Sequence, residues 1–406
     1  MSIKGDNLRV PYALAVHGDE EKKRVLAVLD EHRTNIGKEI YTFEERVAKY
    51  FGKNTGIMLN SGSSANLLAF ELLDLPEGSE VITPILTFST TVSPILKKNL
   101  IPSFVDVEGG TYVINIEQIE KMITPKTKAM MIPLILGNVP DVRKLKKIAK
   151  KYKLFFVEDS CDTFGATFKG KPTGTFSDIT TTSFFGSHVI TTGGNGGIIL
   201  VNNRKWANKA KVLRGWGRNS SLFGESEDIS KRFKTKLGDI PYDAKFIFSD
   251  VGYNFLPNEM CAAFGNAQLD KLEKFKKTRE YNFLHLLNFF SNYEKTFILP
   301  KQNKYVKTQW LAFPLTINKS VPFSRLELVL HLEKNNIQTR PIFTGNILKQ
   351  PGFKKIQHKV SGSYPITNEA MKRGFIIGCH HGMEQKHLKK IEDVFHKFLR
   401  SYGITS

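Results

Sequence analysis

Cysteine is scarce in this chain of 406 residues: Cys161, Cys261 and Cys379 stand alone, far apart. They make no disulfide framework, their spacing fits no zinc site, and such usage goes with a reducing compartment. Long apolar runs are missing too. AMMIPLILG (Ala129–Gly137) is the longest, far short of the about 20 residues a membrane span needs. The N-terminal MSIKGDNLRVPYAL has no apolar signal core. The expectation is a cytoplasmic protein with no membrane partner. Acidic residues are few: 39 Asp and Glu against 59 Lys and Arg give a net charge of +20. The basic residues are dispersed, and the densest runs, RKLKKIAKKYK (Arg143–Lys153) and KLEKFKKTRE (Lys271–Glu280), read as wet helix faces. No zinc-finger spacing or aromatic RNA-binding strand motif appears, so nucleic acid is not the expected partner. The charge suits a small anionic substrate.

What is present is enough apolar residue (41%) for a sizeable core. Asp19–Tyr50 has helical spacing. From Thr55 onward short apolar strands such as TGIMLN, SEVITP and LFFVED alternate with amphipathic helices. That pattern predicts an α/β fold, a mostly parallel sheet covered on both faces, with ligands beyond the carboxyl ends of its strands. The expected organisation is an N-terminal arm (1–20), a large domain (21–257) with an irregular excursion at 203–253, a long connecting helix (258–290) and a smaller C-terminal α+β domain (291–406).

Three stretches carry chemistry. NSGSSANLL (Asn60–Leu68) turns from a strand into a helix, where free N–H groups and serine hydroxyls suit a phosphate. FFVEDSCD (Phe155–Asp162) delivers Asp159 at a strand end, where a buried carboxylate needs a cationic or donor partner. SFFGSHVITTGGNGG (Ser183–Gly197) places His188 in a turn before a glycine run. Taken singly, a serine cap, a loop aspartate and a turn histidine are most often structural.

Together with FEERVAKYFG, GYNFLPNEMCAAFGNAQLDKL and IQTRPIF, these stretches resemble the sugar-nucleotide aminotransferase family in order and spacing. The resemblance covers roughly residues 20–400. It implies aminotransferase fold type I, a pyridoxal-phosphate or pyridoxamine-phosphate cofactor and a homodimer. It places Gly62, Ser63 and Ser64 at the cofactor phosphate with Ser183. Phe88 stacks on the pyridine ring, Asp159 pairs with the ring nitrogen, and Asp162 stands near the ring hydroxyl. Asn254, in GYN, reaches the partner subunit's cofactor phosphate.

His188 departs from the pattern, since the aminotransferases have there the lysine that tethers the cofactor. Imidazole cannot make that tether, but it moves protons well near neutrality, with an ordinary pKa of about 6.5. The same change marks the sugar-nucleotide 3-dehydratases. RGWGRN (Arg214–Asn219), KRFKTKLGDIPYDAKFIFSDVGYN (Lys231–Asn254) and TRPIFTGNILKQPGF (Thr339–Phe353) are similar to that branch. The resemblance implies C3 dehydration of a nucleotide-linked 4-keto-6-deoxy sugar, with His188 as base and then acid and L-glutamate renewing the cofactor. Trp216, Arg218 and Arg340 are candidate substrate contacts. Some members carry a two-iron cluster on four cysteines. Here the corresponding segment has Ser220, Ser221 and Ser230, and three scattered cysteines cannot supply four thiolates, so no iron–sulfur cluster is expected. Leu256 replaces a frequent basic residue, and Gly194 or Asn195 a frequent glutamate. GCHHGM (Gly378–Met383) is a candidate lining of the substrate side. The alternatives are an enzyme that only makes an amino sugar and a cofactor-binding sensor without turnover.

Overall fold

A computed structural model describes residues 8–224 and 228–405. The first seven positions of the expected arm, and residues 225–227 of the excursion, lie outside the described residues. Two helices, α1 (Asp19–Asp30) and α2 (Lys38–Phe51), open the fold. In α2 the buried Ile40, Phe43, Val47, Ala48 and Phe51 recur on one face, the helical period expected of an amphipathic segment. Gly52 ends the helix in the left-handed conformation (φ 63°).

The strand–helix alternation then builds β1 (Thr55–Leu59), α3 (Gly62–Leu73), β2 (Glu80–Pro84), α4 (Ser89–Lys97), β3 (Ile101–Val105), β4 (Thr127–Pro133), α5 (Val142–Tyr152), β5 (Phe155–Asp159), β6 (Ile179–Ser183) and β7 (Gly197–Val201). With the short β10 (Lys359–Val360) they form one eight-stranded sheet in the order β1-β7-β6-β5-β4-β2-β3-β10. Only β7 runs against its neighbours; the other pairings are parallel. The sheet is therefore mostly parallel, and β1, β2, β4, β5 and β6 end on the same edge.

Alternate side chains go to opposite faces. Val81, Ala129, Met131 and Val157 meet α3 and α6 (Arg204–Arg214); Ile82, Met130, Ile132 and Phe156 meet α5. In α5, Asp141 accepts the N–H groups of Arg143 and Lys144, while Val142, Leu145, Ile148 and Ala149 are buried. Its lysines are left on the wet side, as the sequence indicates.

Two sequence expectations need correcting. The excursion at 203–253 begins with the regular helix α6, because Asn203 caps it by accepting from Lys205 and Trp206 N–H; irregular chain starts only after Arg214. The expected single helix at 258–290 is two, α7 (Glu259–Asp270) and α8 (Leu272–Ser291), meeting at Lys271. Helical periodicity runs through both, and the pattern does not mark the break at Lys271.

A second, antiparallel sheet follows from β8 (Phe297–Ile298), β9 (Phe313–Ile317) and β11 (Gly374–Ile377), in the order β8-β9-β11. It packs with α8, α9 (Arg325–Lys334) and α10 (Gln385–Ser401) around Phe290, Phe313, Leu328 and Phe395. That core also takes in Leu86, Ile135 and Leu136 from loops of the large sheet, so the two parts are packed together next to the strand ends.

Candidate functional site

A cavity of about 610 Å³ lies where those strands end. Most wall segments stand at strand ends: Ser61–Ser63 after β1, Phe88–Thr91 after β2, Pro133–Ile135 at β4, Asp159–Asp162 at β5, and Ser183–His188 at β6, with Asn195 and Gly196 just before β7. Arg340, Phe343, Thr344 and Gln350 close it from the C-terminal part.

Asp159 sits at the bottom, 4% exposed. Its Oδ2 accepts Asn66 Nδ2 (2.9 Å) and Thr91 Oγ1 (2.8 Å), and its Oδ1 accepts Cys161 N–H (3.2 Å). Thr181 Oγ1 donates to Asn66 Oδ1 (2.6 Å), which fixes the amide so that its NH₂ faces the carboxylate. Among the described residues no Lys or Arg pairs with Asp159. A buried carboxylate held by neutral donors and facing a cavity calls for a cation from outside the chain.

The phosphate-type corner is built by α3. Ser61 caps it, accepting Ser64 N–H (3.1 Å), and the N–H groups of Gly62 and Ser63 at its start have no turn before them to bond to. Gly197 makes this possible. A Cβ there would stand 2.2 Å from the Ser61 carbonyl, so only glycine lets β7 begin against the loop. Gly197, the last of the glycine run after His188, thus sets the loop's position.

His188 stands between two oxygens. Its Nδ1–H donates to the Ser183 carbonyl (3.2 Å); that acceptor leaves the Nε2 lone pair free. Nε2 lies 3.9 Å from Asp162 Oδ1. Burial first, and more weakly the Arg279 charge, push the imidazole down to about 4, against the raising effect of the Ser183 bond and of Asp159. Asp162 moves the other way. Burial pushes it up to about 7, with the Asp159 charge in the same direction and the Leu136 N–H bond opposing. The pair at neutral pH is a neutral imidazole beside a carboxyl that holds its proton far more tightly than an ordinary aspartate does.

The residues named from sequence fall into two groups. Gly62, Ser63, Phe88, Asp159, Asp162, Ser183, His188 and Arg340 line the cavity together. Ser64 is next to them but turned into the cap, donating to Asn60 Oδ1 (2.7 Å). Trp216, Arg218 and Asn254 lie elsewhere. Arg218 stacks on Trp216 (4.3 Å to the ring centroid), Gly215 bridges to Asn254, and none of the three lines the cavity. Around them Phe246, Phe248 and Val251 are also exposed.

GCHHGM does not line the cavity either. His381 stacks on Phe275 (3.9 Å) and accepts Arg279 Nε–H, and His380 is fully buried; both are internal supports. Sequence reading missed Asn66, Thr91, Phe343 and Tyr12. Asn66 lies one turn into α3 from Gly62 and Thr91 one turn into α4 from Phe88, spacings that could have shown both; Phe343 and Tyr12 depend on chain crossings that no local pattern reveals.

The donor set fits a pyridoxal-type cofactor: an anion corner at a helix start, a buried carboxylate for a protonated ring nitrogen, and Phe88 at the mouth, 53% exposed with an open face. Among the described residues no lysine lines the cavity.

Residues 16–396 match the DegT/DnrJ/EryC1/StrS aminotransferase family. The chain is 35% identical to the lipopolysaccharide biosynthesis protein RfbH of Salmonella typhimurium, over 98% of this chain and 93% of that one. It is also 35% identical to the dTDP-4-dehydro-2,6-dideoxy-D-glucose 3-dehydratase of Saccharopolyspora spinosa, over 95% and 85%. The solved structure of the E. coli GDP-4-keto-6-deoxy-D-mannose 3-dehydratase with bound hydrated PLP superposes with a TM-score of 0.86 at 29% identity, covering 95% of this chain and 99% of that one. The architecture is aminotransferase fold type I, and the chain belongs to the DegT/DnrJ/EryC1/StrS aminotransferase family.

Proposed function

We propose that this chain removes the C3 hydroxyl of a nucleotide-linked 4-keto-6-deoxy sugar, using pyridoxamine phosphate renewed by L-glutamate. The observation that carries the reading is His188, with a free Nε2 in a cavity that no lysine lines among the described residues. When bound, the cofactor supplies an amine that condenses with the C4 ketone and a ring that takes up an electron pair.

The rest is done by the protein. Asp159 keeps the ring nitrogen protonated. Gly62, Ser63 and Ser183 hold the phosphate, and Phe88 covers the ring face. His188 Nε2 would take up a proton as base and return it, as acid, to the departing C3 hydroxyl, which leaves as water; the amine nitrogen would then be released from C4 as ammonia. One imidazole can do both when the two positions lie on one face. Its downward shift keeps it a free base at neutral pH. Asp162, 3.9 Å from Nε2, is the residue that would meet the ring hydroxyl.

The second group suits a homodimer. Asn254, Trp216 and Arg218 are outside the chain's own cavity, on a surface with exposed Phe246, Phe248 and Val251. Such a patch is costly to leave in water, and in a symmetric pair these residues complete the other subunit's site. Four thiolates are not available for an iron–sulfur cluster, which favours glutamate over a reductase for renewing the cofactor. The product belongs to dideoxy-sugar synthesis for surface polysaccharide.

Incubation with a panel of nucleotide-linked 4-keto sugars, pyridoxal phosphate and glutamate, read by mass spectrometry, tests this. The expected product has lost the C3 oxygen. An amino sugar that keeps it would establish the half-transamination reading, and no turnover of any sugar would support a sensor.

A further inference from the structure

GCHHGM has no part in the chemistry above, yet each of its residues Gly378, His380 and Gly382 touches one other segment. At Gly378 a Cβ would stand 2.4 Å from the Pro11 carbonyl oxygen. At Gly382 it would stand 2.7 Å from Val16 Cγ2 and 2.9 Å from Leu14 Cδ2. Between them His380 donates Nε2–H to the Pro11 carbonyl (3.0 Å) and accepts Gly382 N–H at Nδ1 (3.2 Å). Both ring nitrogens are used, so tautomer and orientation are fixed. Burial, then the Arg279 charge, push this imidazole down to about 3; it is neutral at any working pH.

The other edge of the segment is held as firmly. Val10, fully buried, donates its N–H to the Asn336 carbonyl (2.8 Å) and accepts Gln338 N–H (2.9 Å). Tyr12 N–H donates to Gln338 Oε1 (3.2 Å), and the Val16 carbonyl accepts Gln268 Nε2 (2.9 Å).

This seating puts Tyr12 in the cavity wall next to Arg340. The Arg340 guanidinium lies 4.7 Å over the Tyr12 ring centroid. Its Nη1 donates to the Thr339 carbonyl (2.7 Å), and no carboxylate pairs with it among the described residues. An unpaired guanidinium on a cavity wall, with its plane fixed by an aromatic face, is suited to a carboxylate or phosphate.

We propose that residues 10–16 belong to the active site, and that Tyr12 is the positioning residue that orients Arg340 toward an anionic group of a substrate. The anion is either the carboxylate of the amino donor or the diphosphate of the sugar nucleotide. The inference rests on the cavity being the substrate site, as proposed above, but on no particular reaction in it.

Calorimetric titration of the cofactor-loaded protein tests it with two kinds of probe. One is α-methylglutamate, which lacks the proton that transamination removes; the other is a nucleoside diphosphate (GDP, CDP, UDP and dTDP in turn). Tyr12→Leu is expected to weaken one kind of probe about tenfold (about 1.4 kcal/mol), because the guanidinium then loses the ring that holds it in its binding orientation. Tyr12→Phe keeps the ring and should bind as the wild type does. In an Arg340→Leu background, Tyr12→Leu should add nothing further. A loss confined to α-methylglutamate assigns the carboxylate, and one confined to a nucleoside diphosphate assigns the phosphate. Unchanged binding in Tyr12→Leu, an equal loss in Tyr12→Phe, additive losses in the double variant, or no binding of any probe by the wild type would each overturn the proposal. None of these titrations needs turnover. If dehydration fails while the Tyr12 effect holds, the reaction is wrong and the anion site stands.

Discussion

His188 and Asp162 show how one site gives two titrating groups opposite shifts. Both are buried, and burial disfavours whichever form is charged. The imidazole goes down to about 4 and the carboxyl up to about 7. The consequence for stability has a definite sign. Asp162 binds its proton more tightly folded than unfolded, so its contribution is full below about pH 3.8 and is lost as the pH rises through 7. His188 opposes it at lower pH, since the unfolded chain takes up that proton between pH 6.5 and about 4. Asp162→Asn removes only the first term. In thermal melts of the cofactor-free protein, the variant should gain on the wild type at pH 8 by more than at pH 5. An equal difference at the two pH values would show that Asp162 is not held protonated by its surroundings. The sequence could name these residues because each stands at a strand end in a familiar motif. It could not show that they face each other, because that depends on how the β5 and β6 loops fold back.

The elements place the site by where they stop. The strands β1, β2, β4, β5 and β6 end on one edge, and that much was readable from alternating apolar runs and helical spacing. Boundaries were harder. Asn203 starts a helix inside a stretch that composition marks as irregular, and Lys271 divides one helical pattern into two. The glycines after His188 were legible as unusual, but the reason for the last of them, Gly197, is the approach of β7 to Ser61. Gly197→Ala should therefore act at a distance from the chemistry. Its methyl displaces the start of α3, and the cofactor dissociation constant should rise roughly tenfold, the equivalent of about 1.4 kcal/mol. Fluorescence titration with pyridoxal phosphate measures it; an unaltered constant would mean that the loop's position does not matter to the phosphate.

In the whole molecule the two groups of site residues lie apart, and that separation predicts a shared site. If the chain pairs as proposed, His188→Asn and Asn254→Asp should each inactivate the homodimer. Coexpressed, they should recover about a quarter of wild-type activity, because half the dimers are mixed and each has one intact site. No recovery would place Asn254 in its own subunit's chemistry. Among the described residues no helix is long and apolar enough to cross a membrane, and the excess of positive charge is free to draw in an anionic substrate. The proposed reaction depends on His188 carrying protons at the position where the resemblance to aminotransferases implies a tethering lysine. Borohydride reduction of the loaded protein followed by intact-mass measurement, alongside product mass, tests that most directly. The wild type should gain no covalent cofactor and should release a product without the C3 oxygen. His188→Lys should become covalently labelled, and His188→Asn should lose elimination by about 10²–10⁴-fold, as removal of a general base does. Covalent labelling of the wild type, or normal elimination by His188→Asn, would contradict it.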